Sequence, residues 1–117
     1  MSSGYHETGL SGEVRDIHRA LASLQEELEA VDWYHQRVDA AGEEALKAVL
    51  AHNRDDELEH AAMTLEWLRR RLPELDRQLR RFLFTTGEIT GLAEAGAPAA
   101  GRGSGNLGLG DGSKERT

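Results

Sequence analysis

The spacing of apolar residues in the first third of the chain is the feature that most limits the fold. Between residues 14 and 38, apolar side chains recur every three or four positions, with one longer gap. This is the period of an amphipathic α-helix. The residues that form the pattern are Val14, Ile17, Leu21, Leu24, Leu28, Val31 and Val38. They predict a first long helix, with Ser11 or Gly12 as its N-terminal cap.

A second long helix is predicted from about Glu43 to about Leu72. The stretch "AGEE" around Gly42 is typical of a turn followed by an acidic first turn. Acidic residues favour a helix N-terminus because they interact well with the helix dipole. Pro73 ends or kinks this helix, since proline cannot continue it. The stretch "PELDRQLRRFLF" then fits a short third helix with the proline in its first turn.

The two long helices cannot form a complete domain by themselves. A helix of about 28 residues is roughly 42 Å long, and each helix has one apolar stripe to bury. Two such helices do not enclose a core, so we expect helix partners from other subunits. The predicted fold is all-α: an antiparallel two-helix hairpin plus a short C-terminal helix, which completes a four-helix bundle by dimerisation.

The two ends of the chain differ in composition from its middle. Residues 1–12 are polar and rich in Gly and Ser, and we expect a flexible arm there. Residues 13–90 form the predicted helical domain. Residues 91–117 are rich in Gly and Ala and carry almost no bulky side chains. We expect this tail to be disordered, because it can bury too little apolar area to offset the entropy lost on ordering.

The charge balance excludes some classes of partner. The chain of 117 residues carries 14 Lys and Arg against 21 Asp and Glu, for a net charge of −7. No basic face for nucleic acid is expected, whereas an acidic surface attracts cations. There is no cysteine, which excludes disulfides and thiolate metal sites and is compatible with a cytoplasmic location. No apolar run approaches the roughly 18 residues of a membrane span, and we expect no signal peptide.

Two glutamates lie on or beside the apolar faces of the long helices. On a helical wheel, Glu57 falls about 60° from His60, near the middle of the apolar arc of the second helix. Glu27 falls at the edge of the apolar stripe of the first helix. A carboxylate among aliphatic side chains is costly unless its charge is compensated. A buried salt bridge to Arg54 or Arg37 is one explanation, and a bound metal ion is the other.

The metal explanation accounts for the spacing of the residues. Carboxylate-bridged di-iron sites use two Glu from two helices and two Glu-x-x-His motifs from two others. This chain carries half of that set, in Glu27, Glu57 and His60. Two copies related by a two-fold axis would supply the whole set. Oxygen and imidazole donors without thiolates favour Fe, Mn or Zn.

Three stretches of the sequence closely resemble the encapsulated ferritins, short ferritin-like proteins that are cargo of encapsulin shells. They are "EELEAVDWYHQRVDA" (26–40), "LAHNRDDELEHAAMTLEWLRR" (50–70) and "FLFTTGEIT" (82–90). The resemblance covers roughly residues 13–90. It implies a ferritin-like four-helix bundle formed by dimerisation, with the dimers assembled into a ring-shaped decamer. It also implies a ferroxidase, with two Fe ions at each dimer interface; Ca or Zn found there in a crystal would be a substitute.

The resemblance also assigns residues to roles. It implies that Glu27, Glu57 and His60 are the di-iron ligands, with Tyr34 beside them among the catalytic residues. It implies that Glu26 and Glu29, next to Trp33, form the acidic site through which metal enters. Composition and spacing alone indicate only a solvated acidic patch for that group. No role is assigned to His35 or His52.

The tail contains a segment that resembles encapsulin-targeting peptides. It is "GNLGLGDGS" at about 105–113, in which Leu107 and Leu109 are the bulky apolar residues. The resemblance implies that these leucines dock on the shell protein and that the protein is located in the cytoplasm, inside an encapsulin nanocompartment. Asp111 interrupts the segment.

The leading hypothesis is therefore a ferroxidase that oxidises Fe(II) with O2 and feeds iron storage inside the shell. Two alternatives stay open at the level of the sequence. One is a non-catalytic helical oligomer with a structural metal site. The other is a di-iron or di-manganese cargo oxidase that acts on peroxide.

Overall fold

The structure, a computed structural model, describes residues 4–95, and this part of the chain is helical and contains no strand. Its elements are α1 (Gly12–Ala40), α2 (Glu44–Arg71), α3 (Pro73–Phe82) and α4 (Ile89–Ala95). The two long helices pack as an antiparallel pair, and α3 is the predicted short helix after them, which confirms the predicted all-α fold; α4 is a further short helix that was not predicted. Backbone contacts divide the chain into two compact units, Met1–Arg71 and Leu72–Thr117.

Helix α1 begins where the sequence predicts a cap. Ser11 has extended backbone angles, and its Oγ accepts a hydrogen bond from the backbone N–H of Val14 at 3.1 Å. The carbonyl of Ser11 accepts from the N–H of Arg15. Of the two predicted candidates, Ser11 is therefore the cap, and Gly12 is the first helical residue.

The turn between α1 and α2 is held by two charged side chains. The carboxylate of Glu43 accepts from the backbone N–H groups of Ala45 and Leu46, at 3.1 and 2.9 Å. These bonds satisfy two of the N–H groups that a helix start leaves without partners. At the other end of the turn, the Nζ of Lys47 donates to the carbonyl oxygen of Val38, in the last turn of α1, at 2.8 Å. The hairpin is thus closed by contacts that span only ten residues.

The hairpin encloses very little core. Among the described residues, Leu68 and Ala61 are the buried apolar side chains. Several large apolar residues of α1 and α2 remain 42 to 59% exposed: Val14, Leu21, Leu28, Trp33, Leu46, Val49, Leu58 and Met63. This agrees with the expectation that two helices do not enclose a core. It remains a prediction that helices of another subunit cover this surface.

The last turn of α2 carries a cluster of opposite charges. Arg69 and Arg70 donate to the carboxylate of Glu66 at 2.7 to 2.8 Å. The hydrogen bonds from these two guanidinium groups lower the pKa of Glu66 from 4.5 to about 2.

The described helices are too polar or too short to cross a membrane.

In the second unit, the structure differs from one expectation. Pro73 begins α3 as predicted. Residues 91–95, expected to be disordered, instead lie in α4. Leu and Ala are strong helix formers, and Arg81 donates to the carbonyl oxygens of Leu92 and Ala93 near the end of this helix. The predicted disorder of the tail beyond residue 95 falls outside the described residues.

The contact between Lys47 and Val38 allows a test of the hairpin. We expect Lys47→Met to lower the free energy of unfolding by about 1–2 kcal/mol, because a partly buried carbonyl loses a hydrogen bond from a charged donor. Urea unfolding at matched protein concentration measures the change. Lys114→Met, the same change at the other lysine of the sequence, lies outside the described residues and controls for net charge. Equal losses in the two variants would contradict a specific role for the contact.

Candidate functional site

Glu57 and His60 lie one turn apart on α2 and form the centre of the candidate site. Glu57 Oε1 is 3.6 Å from His60 Nδ1, and the two side chains are 26% and 47% exposed. Residues three apart on a helix share a face, which explains the approach. The distance is longer than a hydrogen bond. It is close to the roughly 3.0–3.4 Å that separates two ligands bound about 2.1 Å from one metal ion in octahedral or tetrahedral geometry.

Glu27 reaches the same region from α1. The hydroxyl of Thr64 lies 3.2 Å from Glu27 Oε1 and 3.0 Å from the backbone carbonyl oxygen of His60. Thr64 therefore connects the predicted ligand on α1 to the turn of α2 that carries His60. Sequence reasoning assigned no role to Thr64. Its position four residues after His60, on the same helix face, is the signal that could have indicated it.

The two arginines that could form a salt bridge with Glu57 contact other residues in the structure. Arg54 contacts Asp55 Oδ1 and His35 Nδ1, each at 3.2 Å. The guanidinium of Arg37 lies 5.1 Å from the ring centroid of Tyr34. Within the described part of the chain, neither arginine forms an ion pair with Glu57. The half-buried carboxylate of Glu57 lies beside the imidazole of His60 instead.

One chain does not assemble a full ligand set. Residues 4–95 contain no group of three or more His, Cys, Asp or Glu side chains close enough to hold a metal ion. The structure brings Glu57 and His60 together and places Glu27 beside Thr64. Carboxylate oxygens and an imidazole nitrogen suit Fe, Mn or Zn. The assignment of these three residues as metal ligands stays a prediction.

The other predicted site residues lie along α1. Tyr34 is half-buried, with the Arg37 guanidinium over its ring. Glu26 and Glu29 are exposed, one helical turn apart. Trp33 is 51% exposed and lines a shallow depression with Gln36, Arg37 and Ala40. The roles of this group in metal uptake and catalysis stay predictions.

His35 and His52, to which the sequence assigns no role, each lie close to a polar side chain. His35 Nδ1 accepts a hydrogen bond from the guanidinium of Arg54 at 3.2 Å, which links α1 to α2. His52 lies 3.4 Å from Asp56, one turn along α2. The predicted shell-docking residues Leu107 and Leu109 are outside the described residues.

The chain is similar in sequence to a known family and to ferritin-like proteins of other bacteria. The profile of a family described as EncFtn-like matches residues 4–86. A ferritin-like protein of Thermotoga maritima is 50% identical over 111 residues, which cover 93% of this chain and 97% of that protein. An encapsulated ferritin-like protein of Rhodospirillum rubrum is 57% identical over 96 residues, which cover 82% of this chain and 67% of that protein.

A crystal structure of a protein from Nitrosomonas europaea is similar in fold to most of this chain. It is 59% identical, and it superposes with a TM-score of 0.71 over 74% of this chain and 97% of that one. The family profile covers most of the chain, including every predicted site residue that the structure describes. The chain therefore belongs to the EncFtn-like family and is an encapsulated ferritin.

Proposed function

We propose that the protein is a ferroxidase that oxidises Fe(II) to Fe(III) with O2 at a di-iron site shared between two subunits. The observation that carries the proposal is the Glu57–His60 pair, a half-buried carboxylate 3.6 Å from an imidazole. Membership of a ferritin-like family makes iron the fitting substrate. The separation of the two groups suits ligands of a single ion better than a direct hydrogen bond.

The proposal requires two subunits, because one chain carries half of the ligand inventory of a carboxylate-bridged di-iron site. Glu27, Glu57 and His60 from each of two copies would give four carboxylates and two imidazoles around two ions. The exposed apolar side chains of α1 and α2 are the surface that such a pairing would bury. Large apolar side chains that stay about half exposed in one chain gain stability when a second helix pair covers them. We propose that these dimers assemble further into a decameric ring.

Each proposed residue has a chemical task. Glu26 and Glu29, both exposed, would attract Fe(II) to the surface beside Trp33. Glu27, Glu57 and His60 would then hold the ions close enough for O2 to accept electrons from both, each Fe(II) losing one. Tyr34 lies two turns along α1 from Glu27 and so shares its helix face. The Fe(III) product would leave the open site for storage.

Replacing Glu57 tests the catalytic site. We expect Glu57→Ala to slow Fe(II)-dependent O2 consumption at least about tenfold, since even the loss of groups that only orient a metal ligand costs about 10–100-fold. The measurement is the initial rate at an oxygen electrode. Glu59→Ala is the matched control, because two residues along a helix turn the side chain by about 200°, to the opposite face.

Equal rates for wild type and Glu57→Ala would contradict the assigned site. A wild-type protein that binds iron without oxidising it would support the non-catalytic oligomer instead. Oxidation of Fe(II) by peroxide but not by O2 would support the alternative cargo oxidase.

Shared ligands also predict that metal promotes assembly. We expect Fe(II), added without O2, to raise the dimer or larger fraction of the wild type in native mass spectrometry, because a ligand that binds only the assembled form stabilises it. A chelator should reverse the shift. Glu57→Ala should respond less than Glu59→Ala. A wild type that stays monomeric at every metal concentration would contradict the shared site.

We propose that the protein works inside an encapsulin nanocompartment in the cytoplasm. The Rhodospirillum rubrum relative is named as encapsulated. The segment at about 105–113 offers Leu107 and Leu109 as side chains that can fill an apolar groove on the shell protein. An open ring of small subunits has no cavity for a mineral, so storage would depend on the shell.

The docking proposal is tested by a double substitution in the tail. We expect Leu107→Ser with Leu109→Ser to lower the amount of protein that co-purifies with a co-expressed shell at least about tenfold, from the loss of two buried leucines. Asn106→Ser serves as the control within the same segment. Fe(II) oxidation by the free protein should be the same in both variants. Unchanged loading of the double variant would contradict docking through these leucines.

A further inference from the structure

The hydroxyl of Thr64 makes the contact between the helices that lies nearest to the proposed ligands. Its Oγ1 is 3.2 Å from Glu27 Oε1 on α1 and 3.0 Å from the carbonyl oxygen of His60 on α2. The sequence separation from Glu27 is 37 residues, so this bond depends on how the two helices pack. The side chain is partly buried, which limits competition from water.

The two acceptors near the Thr64 hydroxyl compete for one proton. A hydroxyl has one proton, and a carboxylate is a stronger acceptor than a backbone carbonyl. The proton therefore goes to Glu27 when that carboxylate is ionised. The carbonyl of His60, four residues earlier in α2, is the usual acceptor for a threonine hydroxyl in a helix, and it competes for the same proton.

From this geometry we infer that Thr64 is a positioning residue for metal binding, which holds the Glu27 carboxylate in place by donating to Oε1. The inference rests on the proposed function of Glu27 as an iron ligand. A hydrogen bond to one oxygen fixes the rotation of the carboxylate and leaves the other oxygen for a metal ion. Since Thr64 also borders His60, it keeps the ligands of the two helices in register.

The test compares variants that separate the hydroxyl from the shape of the side chain. Thr64→Val removes the hydroxyl and keeps the branched shape, whereas Thr64→Ser keeps the hydroxyl and removes the methyl group. Thr85→Val is the matched control, because the hydroxyl of Thr85 donates at 2.7 Å to the backbone carbonyl of Phe82. Glu27→Ala reports on the proposed site itself.

The measurement is Fe(II) binding to the full chain without O2, by titration calorimetry. We expect Thr64→Val to raise the Kd for Fe(II) about 10–100-fold, as for other groups that orient a metal ligand. Thr64→Ser and Thr85→Val should stay within about threefold of wild type, since Thr64→Ser retains the donor and the hydroxyl of Thr85 bonds to a carbonyl of its own turn. With O2 present, Thr64→Val should raise the KM for Fe(II) more than it lowers kcat.

The outcomes separate the inference from the function on which it rests. The positioning role of the hydroxyl is wrong if Thr64→Val has the same Kd for Fe(II) as wild type. It is also wrong if Thr64→Ser raises the Kd as much as Thr64→Val does. If Glu27→Ala binds Fe(II) like wild type, the proposed site is wrong. If Glu27→Ala loses binding and Thr64→Val does not, the inference alone is wrong. Should Thr64→Val fail to fold, Thr64→Ala replaces it as a hydroxyl-free variant with high helix propensity.

Discussion

The carboxylate of Glu57 imposes the constraint on which the proposed site depends. Its side chain is 26% exposed and lies on a helix whose apolar residues largely lack cover within one chain. Placing this face against another helix would bury the aliphatic side chains and desolvate the carboxylate at the same time. The first effect is favourable, and the second is costly unless a positive charge accompanies it. In the proposed dimer, divalent iron supplies that charge, so assembly and metal binding support each other.

The parts of the fold that sequence reasoning predicted correctly depend on local interactions. Ser11 caps α1 through a hydrogen bond to a residue three positions away. Pro73 begins α3 because its fixed backbone angle fits the first position of a helix. The predicted second helix differs from α2 by one residue at each end, and Glu43, its predicted start, caps it instead. Such signals can be found in a sequence because they need no knowledge of how distant segments pack.

Two features could not be predicted because they depend on contacts between segments. Apolar periodicity indicates which face of α1 is buried, but the register of α1 against α2 decides that Glu27 meets Thr64. Composition indicates that residues 91–95 bury little area, and it does not show that Arg81 reaches the carbonyls of Leu92 and Ala93. In the candidate site, Glu57 and His60 were predictable as a pair from their spacing alone. The position of Thr64 on the face of His60 was also readable from spacing, but its contact with Glu27 depends on the helix register and was not.

The positions of the arginines near the site strengthen the case for a metal counterion. Arg54 and Arg37 are the cationic side chains that the sequence offers to Glu57. In the structure, Arg54 is engaged by Asp55 and His35, and Arg37 lies over the ring of Tyr34. A protein that only needed to neutralise a half-buried glutamate could do so with either arginine, since a guanidinium binds a carboxylate in a bidentate manner. With both arginines directed elsewhere, the oxygens of Glu57 lie beside an imidazole, which is an arrangement that a divalent cation can bind.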